Sequence, residues 1–149
     1  MSSHRFISVA ARMSTAILVW AVPLNFVWEM GQSWTYTGVP ASFWSAVQAC
    51  GMHSVIDGLC VLGIFWGGVL VFRDLGWRHR PGFTGYFWMG TTGFFLSVVI
   101  ELNAVYRLEQ WGYREAMPLI PGLGVGLLPV LQMLTLPPVI FILTRKKGV

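Results

Sequence analysis

Four long apolar runs dominate the sequence and restrict the folds that are open to it. They cover approximately residues 9–30, 48–72, 83–106 and 119–144. Each is close to the roughly 20 residues with which a helix crosses a bilayer. Inside lipid every backbone polar group must be paired, and four isolated strands cannot close a barrel. The runs therefore predict an all-α fold, an integral membrane four-helix bundle in which residues 1–149 form a single transmembrane domain.

The composition agrees with lipid as the solvent. Hydrophobic residues make up 55% of the chain and charged residues only 11%, whereas a soluble domain carries about 25% charged residues. A core this small cannot bury so much apolar surface. Prolines inside the runs predict kinked helices because each removes a backbone donor, and the stretch 118–129 predicts a bent or broken helix entry. These prolines are Pro23, Pro129, Pro137 and Pro138.

The positions of Lys and Arg predict the direction of the runs. The first loop, residues 31–47, has no basic residue, and the two Arg of the third loop are offset by two Glu. Under the positive-inside rule both termini and the second loop are therefore cytoplasmic, and we expect a bacterial inner (cytoplasmic) membrane. Nucleic-acid binding is not expected, because no contiguous basic face is available. The basic residues on the cytoplasmic side are Arg5, Arg12, Arg73, Arg78, Arg80, Arg145, Lys146 and Lys147.

Aromatic residues flank the runs at both ends. Rings of Trp and Tyr are typical of the membrane–water interface, where their polar atoms reach water. We expect such an interface belt on the outer side and, at Trp77, on the inner side. The outer residues are Trp34, Tyr36, Trp44, Trp111 and Tyr113.

Four ionisable residues lie within the runs, where charged groups are costly and are usually functional. Glu29 ends the first run, His53 and Asp57 begin the second, and Glu101 lies near the end of the third. With the predicted topology all four fall in the outer half of the bilayer. They are therefore the candidate catalytic residues.

Further polar and aromatic residues share faces or levels with these four. Residues four apart lie on one helical face, as do Asn25 with Glu29 and Ser97 with Glu101, and Gln32 follows Glu29 by three. Gln132 is expected near mid-membrane in the fourth run. The candidate substrate-binding residues are Asn25, Trp28, Gln32, Phe94, Ser97, Asn103, Tyr106 and Gln132.

Three carboxylates in a low dielectric cannot all remain ionised cheaply, so at least one is expected to hold a proton, and His53 is expected to pair with Asp57. An acid beside an ionised partner is the equipment for general acid–base catalysis. The alternative is that the same groups join helices through hydrogen bonds. A metal site is the next option, since one His and three carboxylates suit iron or manganese better than zinc. Helical di-metal sites use two Glu-x-x-His pairs, which this chain lacks, so no metal or other cofactor is expected.

Two short patterns resemble membrane enzymes. The stretch Asn25-Phe-Val-Trp28-Glu29 resembles the Asn-x-x-Trp-Glu segment of membrane-bound terpene cyclases, and this resemblance implies that Glu29 donates a proton to an isoprenoid. Those cyclases have more spans, so four spans here leave room for a homodimer or a larger membrane complex. His53-x-x-x-Asp57 with Glu101 resembles the four-span sterol-isomerase and sigma-receptor-like group, in which the second position is Glu.

A third pattern carries no activity. The stretch from Trp111-Gly-Tyr113 to Met117-Pro118, followed by Gln132, resembles small uncharacterised bacterial membrane proteins.

Three functions are open at this point. The first is a membrane-embedded enzyme that uses carboxylate acid–base chemistry to cyclise or isomerise a lipophilic isoprenoid, terpenoid or sterol-like substrate. The second is a non-catalytic accessory or lipid-binding subunit of a larger complex. The third is a proton-coupled carrier, which fits the intramembrane carboxylates but not the apolar inner half of the runs. The expected partners are the bilayer and a lipophilic small molecule or lipid.

Overall fold

The computed structural model describes residues 3–40 and 42–145, with side chains from Ile7 onward. Helix α1 spans Ser3–Gln32, α2 spans Phe43–Phe72, α3 spans Gly82–Glu101 and α4 spans Leu127–Leu143. A π-helical turn, Leu102–Arg107, extends α3. Two short strands, β1 at Tyr36–Thr37 and β2 at Gly112–Tyr113, pair antiparallel between the first and third loops. The all-α prediction is therefore confirmed for the described part of the chain, apart from this two-residue ladder.

Three helical segments are long and apolar enough to cross a membrane: Ile7–Thr35, Phe43–Phe72 and Gly82–Arg107. The prediction of apolar spans is confirmed for these three. The fourth apolar helix, α4, has only 17 residues. Lys146 and Lys147, which contribute to the predicted orientation, lie outside the described residues.

The predicted start of the fourth span, at residue 119, is wrong. Residues 118–126 form a tight loop in which Leu119 bridges to Gly126 and Ile120 N donates to Val125 O at 2.9 Å. Gly122 and Gly124 have φ values of +79° and +68°, a conformation that disfavours any residue with a Cβ. The loop agrees with the bent or broken helix entry predicted over residues 118–129. Only the start of the helix was misplaced, because hydropathy responds to the apolar side chains and not to these backbone angles.

The two ends of α4 show different effects of proline on a helix. Pro129 is the third residue of α4. The first N–H groups of a helix have no acceptor within the helix, so Pro129 does not interrupt α4, contrary to the prediction. Pro23 lies inside α1, and Pro137 and Pro138 lie inside α4. Pro137 leaves the carbonyl of Met133 without its usual helical donor.

That carbonyl faces α3. A Cβ built on Gly93 would overlap the carbonyl oxygen of Met133, so the backbones of the two helices are in direct contact there. Helix α1 packs most extensively against α2, α3 packs mainly against α4, and α2 meets α3 only sparsely. The sparse contact between α2 and α3 leaves a gap between these two helices on the side of the protein.

The main apolar core occupies the end of the molecule that holds the second loop. Its largest buried side chains include Ile17 of α1, Phe65 of α2 and Phe141 of α4. The indole of Trp77 lies over Gly68 and donates to Phe65 O at 3.2 Å. Trp77 is therefore a core residue, and its expected place in an interface belt is wrong: the adjacent Gly68 leaves a space into which the ring folds.

Candidate functional site

The opposite end of the molecule contains a cavity of about 470 Å³. It lies where α1 and α3 end and where α2 and α4 begin. Glu29, His53, Asp57 and Glu101 all line it, so the structure brings together the four ionisable residues that the sequence placed in one leaflet. The volume falls in the range of roughly 300–1,000 Å³ that is usual for small-molecule sites.

A chain of amides joins three helices along the wall of the cavity. Gln132 of α4 is only 2% exposed. Its Nε2 donates to Asn25 Oδ1 of α1 at 2.8 Å and to Asp57 Oδ2 of α2 at 2.9 Å. Its Oε1 accepts from Gln32 Nε2 of α1 at 3.1 Å. Both polar ends of the Gln132 amide are thus occupied, which is what burial of a glutamine requires.

The chain of amides continues to a second carboxylate. Gln32 Nε2 also donates to Glu29 Oε1 at 2.7 Å, and Gln32 Oε1 accepts from Trp28 Nε1 at 3.1 Å. Asn25, Glu29 and Gln32 reach this network together because their spacing of four and three places them on one face of α1. Gln32 therefore holds Glu29, Gln132 holds Asp57, and the two glutamines are hydrogen-bonded to each other.

His53 stands at the mouth of the cavity, with its side chain 41% exposed. Its Nδ1 lies 3.9 Å from Glu29 Oε2, and its ring centroid lies 5.1 Å from that of Trp111. The expected pairing of His53 with Asp57 is wrong. The four-residue spacing places the two on one face of α2, but Asp57 points one turn deeper, toward Gln132.

Glu101 is held by two tyrosines that sequence reasoning assigned to the interface belt. Tyr36 OH donates to Glu101 Oε1 at 3.4 Å, and Tyr113 OH donates to Glu101 Oε2 in a short hydrogen bond. The two tyrosines are register partners in the β1–β2 ladder. Burial, together with the nearby Glu101 carboxylate, raises the pKa of each phenol above its usual range, so both remain donors at neutral pH.

The first and third loops are fastened together around this ladder. Arg114 N donates to Thr35 O at 2.9 Å, and Arg114 Nε donates to Tyr36 O at 2.9 Å. Thr35 is fully buried, and its Oγ1 donates to Gln32 O at 2.7 Å. The ladder, the two loops and Glu101 thus form one cap over the cavity at this end of the molecule. The aromatic residues of both loops, the two tyrosines among them, are predicted from the sequence only as members of an interface belt.

The predicted substrate-binding residues divide into two groups. Gln32, Ser97 and Gln132 line the cavity, whereas Asn25 and Trp28 stand behind its wall and hydrogen-bond to the two glutamines. The remaining three, Phe94, Asn103 and Tyr106, do not line the cavity, and their expected contact with a substrate there is wrong.

Each of these three has a local partner instead. Phe94 packs against Val98, Val125 and Val130. Asn103 Nδ2 donates to Val99 O at 2.7 Å, and Tyr106 OH donates to Gly124 O at 2.7 Å. Both polar residues lie in the π-helical turn, whose wider spacing rotates side chains away from the face predicted for a regular α-helix.

The polar network stops before it reaches the other end of the protein. Asn25 Nδ2 donates to Ala21 O, and below it lies the apolar core. Arg78, 3% exposed, lies beyond that core, and its Nη1 donates to Thr144 Oγ1 at 2.7 Å. Within residues 3–40 and 42–145 no chain of hydrogen bonds joins Asp57 to Arg78.

The side chains of the cavity suit proton transfer better than metal binding. Among the described residues, no group of three or more His, Cys, Asp and Glu side chains is placed to hold a metal ion. The cavity does offer two carboxyl groups, Glu29 and Asp57, fixed by neutral amides, and an imidazole open to the outside. Such a set can deliver a proton at one point of a bound molecule and take one up at another.

No protein-family model, no curated protein and no solved structure matches this chain.

Proposed function

We propose that the chain is an integral membrane enzyme that isomerises or cyclises a lipophilic, isoprenoid-like or sterol-like molecule by carboxylate acid–base catalysis. In this proposal it is a four-helix bundle in a bacterial inner membrane with both termini cytoplasmic. The observation that carries the proposal is the shared fixation of Glu29 and Asp57, from different helices, by Gln32 and Gln132 on the wall of one cavity.

The proposed reaction transfers protons without changing the composition of the substrate. The carboxylic acid of Glu29 gives its proton to one carbon of a substrate double bond, whose π electrons form the new C–H bond and leave a carbocation. Asp57, as a carboxylate, removes a proton from a neighbouring carbon, and the electrons of that C–H bond form the new double bond. To close the cycle, Asp57 releases the proton that it took up to water in the open cavity, and Glu29 regains one through His53, which stands between it and the cavity mouth.

The ring faces at the cavity support a cationic intermediate. Tyr36 and Trp111 both line it, and the negative face of an aromatic ring attracts a cation. Glu101 has a different part in this proposal. Because both of its oxygens accept hydrogen bonds from tyrosines, it holds the cap in place and adds negative charge near the carbocation.

Exchange of hydrogen with solvent tests the proposal without knowledge of the product. The purified protein in liposomes is incubated in deuterium oxide with farnesol, geranylgeraniol or a sterol that carries a ring double bond, and deuterium at carbon is measured by mass spectrometry. We expect enzyme-dependent incorporation that Glu29→Gln and Asp57→Asn both reduce by at least about a hundredfold, the size of a general acid–base contribution.

Glu115→Gln is the matched control, because Glu115 is an exposed acid in the third loop outside the cavity. It is expected to retain full incorporation. Equal incorporation by wild type, Glu29→Gln and Asp57→Asn would contradict the proposal.

A lipid-binding accessory subunit is the second candidate, and the exposure of His53 and Met52 favours it, because a cavity open to water would quench a carbocation. Copurification with another membrane protein in fixed stoichiometry, without exchange activity, would support this candidate. The carrier function is disfavoured, because the apolar core separates the cavity from Arg78.

A further inference from the structure

A second concave surface lies on the side of the molecule, where α2 and α3 diverge. It is a groove of about 690 Å³ whose lining is apolar except for the hydroxyls of Thr91 and Thr92. Thr92 Oγ1 already donates to Trp88 O within α3. Its α2 side runs from Ile56 to Ile64 and its α3 side from Trp88 to Val99.

The groove borders the cavity. Ile56 lines both, and on α3 the groove residues Leu96 and Val99 alternate with the cavity residues Ser97 and Ile100. On α2 the cavity residue Asp57 lies between the groove residues Ile56 and Leu59. The two hollows therefore meet at Ile56, and this is where a molecule in the cavity would enter the groove.

The other end of the groove is closed. Trp88 Nε1 donates to Ile64 O at 3.0 Å across the gap, and a Cβ on Gly67 would lie only 2.8 Å from the Trp88 ring. From Ile56 to Ile64 the helical rise gives a length of about 12 Å, and from Trp88 to Val99 about 16 Å. A closed end suits the terminus of a flexible chain, whereas a helix of a partner protein would have to run past Trp88.

We infer that this groove binds the apolar tail of the same molecule whose reactive part occupies the cavity, so that the substrate class is a linear, long-chain prenyl lipid and not a compact ring system. This inference rests on the proposed function for the identity of the reactive part. The groove itself provides the argument for the tail: it has no charged group, its lining residues Leu59, Phe95 and Val99 are exposed on the protein surface, and it ends at the Trp88–Ile64 hydrogen bond.

Gly63 allows the groove to be filled without disturbing the protein. A Cβ on Gly63 meets nothing within 4 Å, so Gly63→Trp places a large ring in the groove space. Gly90 of α3 is equally free within 4 Å but does not line the groove, so Gly90→Trp is the matched control. Circular dichroism and gel filtration verify that both variants fold.

Binding of geraniol, farnesol and geranylgeraniol, which differ by one isoprene unit each, is measured by native mass spectrometry from detergent micelles. Because lipid or detergent already solvates an apolar tail, the groove adds affinity through packing alone, and we expect only about a threefold gain for each added unit in wild type. Gly63→Trp is expected to abolish this gain and to bind geraniol within about twofold of wild type, since the cavity is intact. Gly90→Trp is expected to keep the gain.

A second measurement needs no bulky substitution. In the Cys50→Ala variant Cys60 is the remaining thiol, and it lines the groove. Geranylgeraniol is expected to slow its reaction with a membrane-permeant maleimide, whereas geraniol is not. Equal protection by both alcohols, or a length-dependent gain that survives in Gly63→Trp, would overturn the inference.

The experiments can refute the proposed enzyme and the proposed tail groove independently of each other. Absence of deuterium exchange in every protein, together with length-dependent binding that Gly63→Trp removes, would refute the enzyme and leave the tail groove supported. Normal exchange on a sterol together with unaltered binding in Gly63→Trp would leave the enzyme and refute the groove.

Discussion

Glu101 differs from the other acids of the cavity because both of its oxygens are occupied by phenols. Tyr36 and Tyr113 reach it from opposite strands of one ladder, so a single carboxylate fixes the first loop, the third loop and the end of α3. At the residue scale this arrangement separates a structural acid, Glu101, from the pair Glu29 and Asp57, which is held by neutral amides. It also gives the cap its own dependence on pH.

The first prediction concerns that dependence. The pKa of Tyr36 and of Tyr113 is raised, mainly by burial, so the neutral phenols stabilise the fold at every pH below the ordinary range of tyrosine. The stabilisation is lost only as pH rises through the raised values. We expect the double variant Tyr36→Phe/Tyr113→Phe to be less stable than wild type by about 2 kcal/mol at neutral pH.

Denaturant unfolding in detergent at a series of pH values measures this difference, and phenolate absorbance follows ionisation. The difference is expected to stay constant through neutral pH and to vanish in strong alkali. Tyr86→Phe, at an exposed position on α3, is the control. A difference that already disappears between neutral pH and the usual range of tyrosine would contradict the prediction.

Gln132 makes hydrogen bonds that join three helices, so its replacement is expected to destabilise the protein. Gln132→Leu keeps the volume but leaves Asn25 Oδ1 and Asp57 Oδ2 without their donor, and Gln32 Nε2 without one of its acceptors. We expect a loss of about 1–3 kcal/mol in the free energy of unfolding, measured by denaturant titration in detergent. Gln48→Leu, at an exposed position of α2, is expected to change stability by less than about 0.5 kcal/mol. Equal stability of the two variants would show that the network does not hold the helices together.

At the scale of elements, the contact between α3 and α4 depends on Gly93, which has no side chain, and on Pro137, which has no N–H. Pro137 frees the carbonyl of Met133, and Gly93 allows α3 to approach it. The hydropathy of either helix gives no indication of this contact, because it arises from backbone atoms. It sets the separation of α3 and α4 beside the cavity, which Met133 lines.

The third prediction compares two glycines three residues apart. Gly93→Ala must push α3 away from Met133, so we expect a loss of about 1–3 kcal/mol in stability. Gly90→Ala meets nothing within 4 Å and replaces glycine by a better helix former, so we expect it to be neutral or to stabilise by up to about 1 kcal/mol. Thermal unfolding in detergent measures both. A Gly93→Ala protein as stable as Gly90→Ala would show that the backbones are not in contact.

At the scale of the whole molecule, the features that follow from the lengths of the apolar runs could be predicted from the sequence. It identified the three long helices, and it brought Glu29, Asp57 and Glu101 to one end through the alternating direction of the runs. It did not predict what depends on contacts between distant loops or on unusual backbone angles. The tyrosine ladder around Glu101, the loop at Gly122 and Gly124, and the rotation of Asn103 by the π-helical turn belong to this class.

The fourth prediction tests the orientation. In a protein without Cys50 and Cys60, Glu115→Cys in the third loop is expected to react with an impermeant maleimide on intact cells, since that loop is predicted to face outward. Asp74→Cys in the second loop is expected to react only after the cells are made permeable. Both positions are exposed, and acidic residues contribute little to orientation. The reverse pattern would invert the topology.

The shortness of α4 has a consequence for the surrounding bilayer. Its 17 residues reach only about 25 Å, less than the hydrocarbon thickness of roughly 30 Å, whereas α1 and α2 each have 30 residues. In the proposed membrane-spanning bundle, the bilayer along the α4 flank would therefore have to become thinner, and lipids with short acyl chains would fit there at lower elastic cost. We expect one side of the protein to gather a distinct annulus of lipid and the molecule to concentrate where the membrane is thinnest.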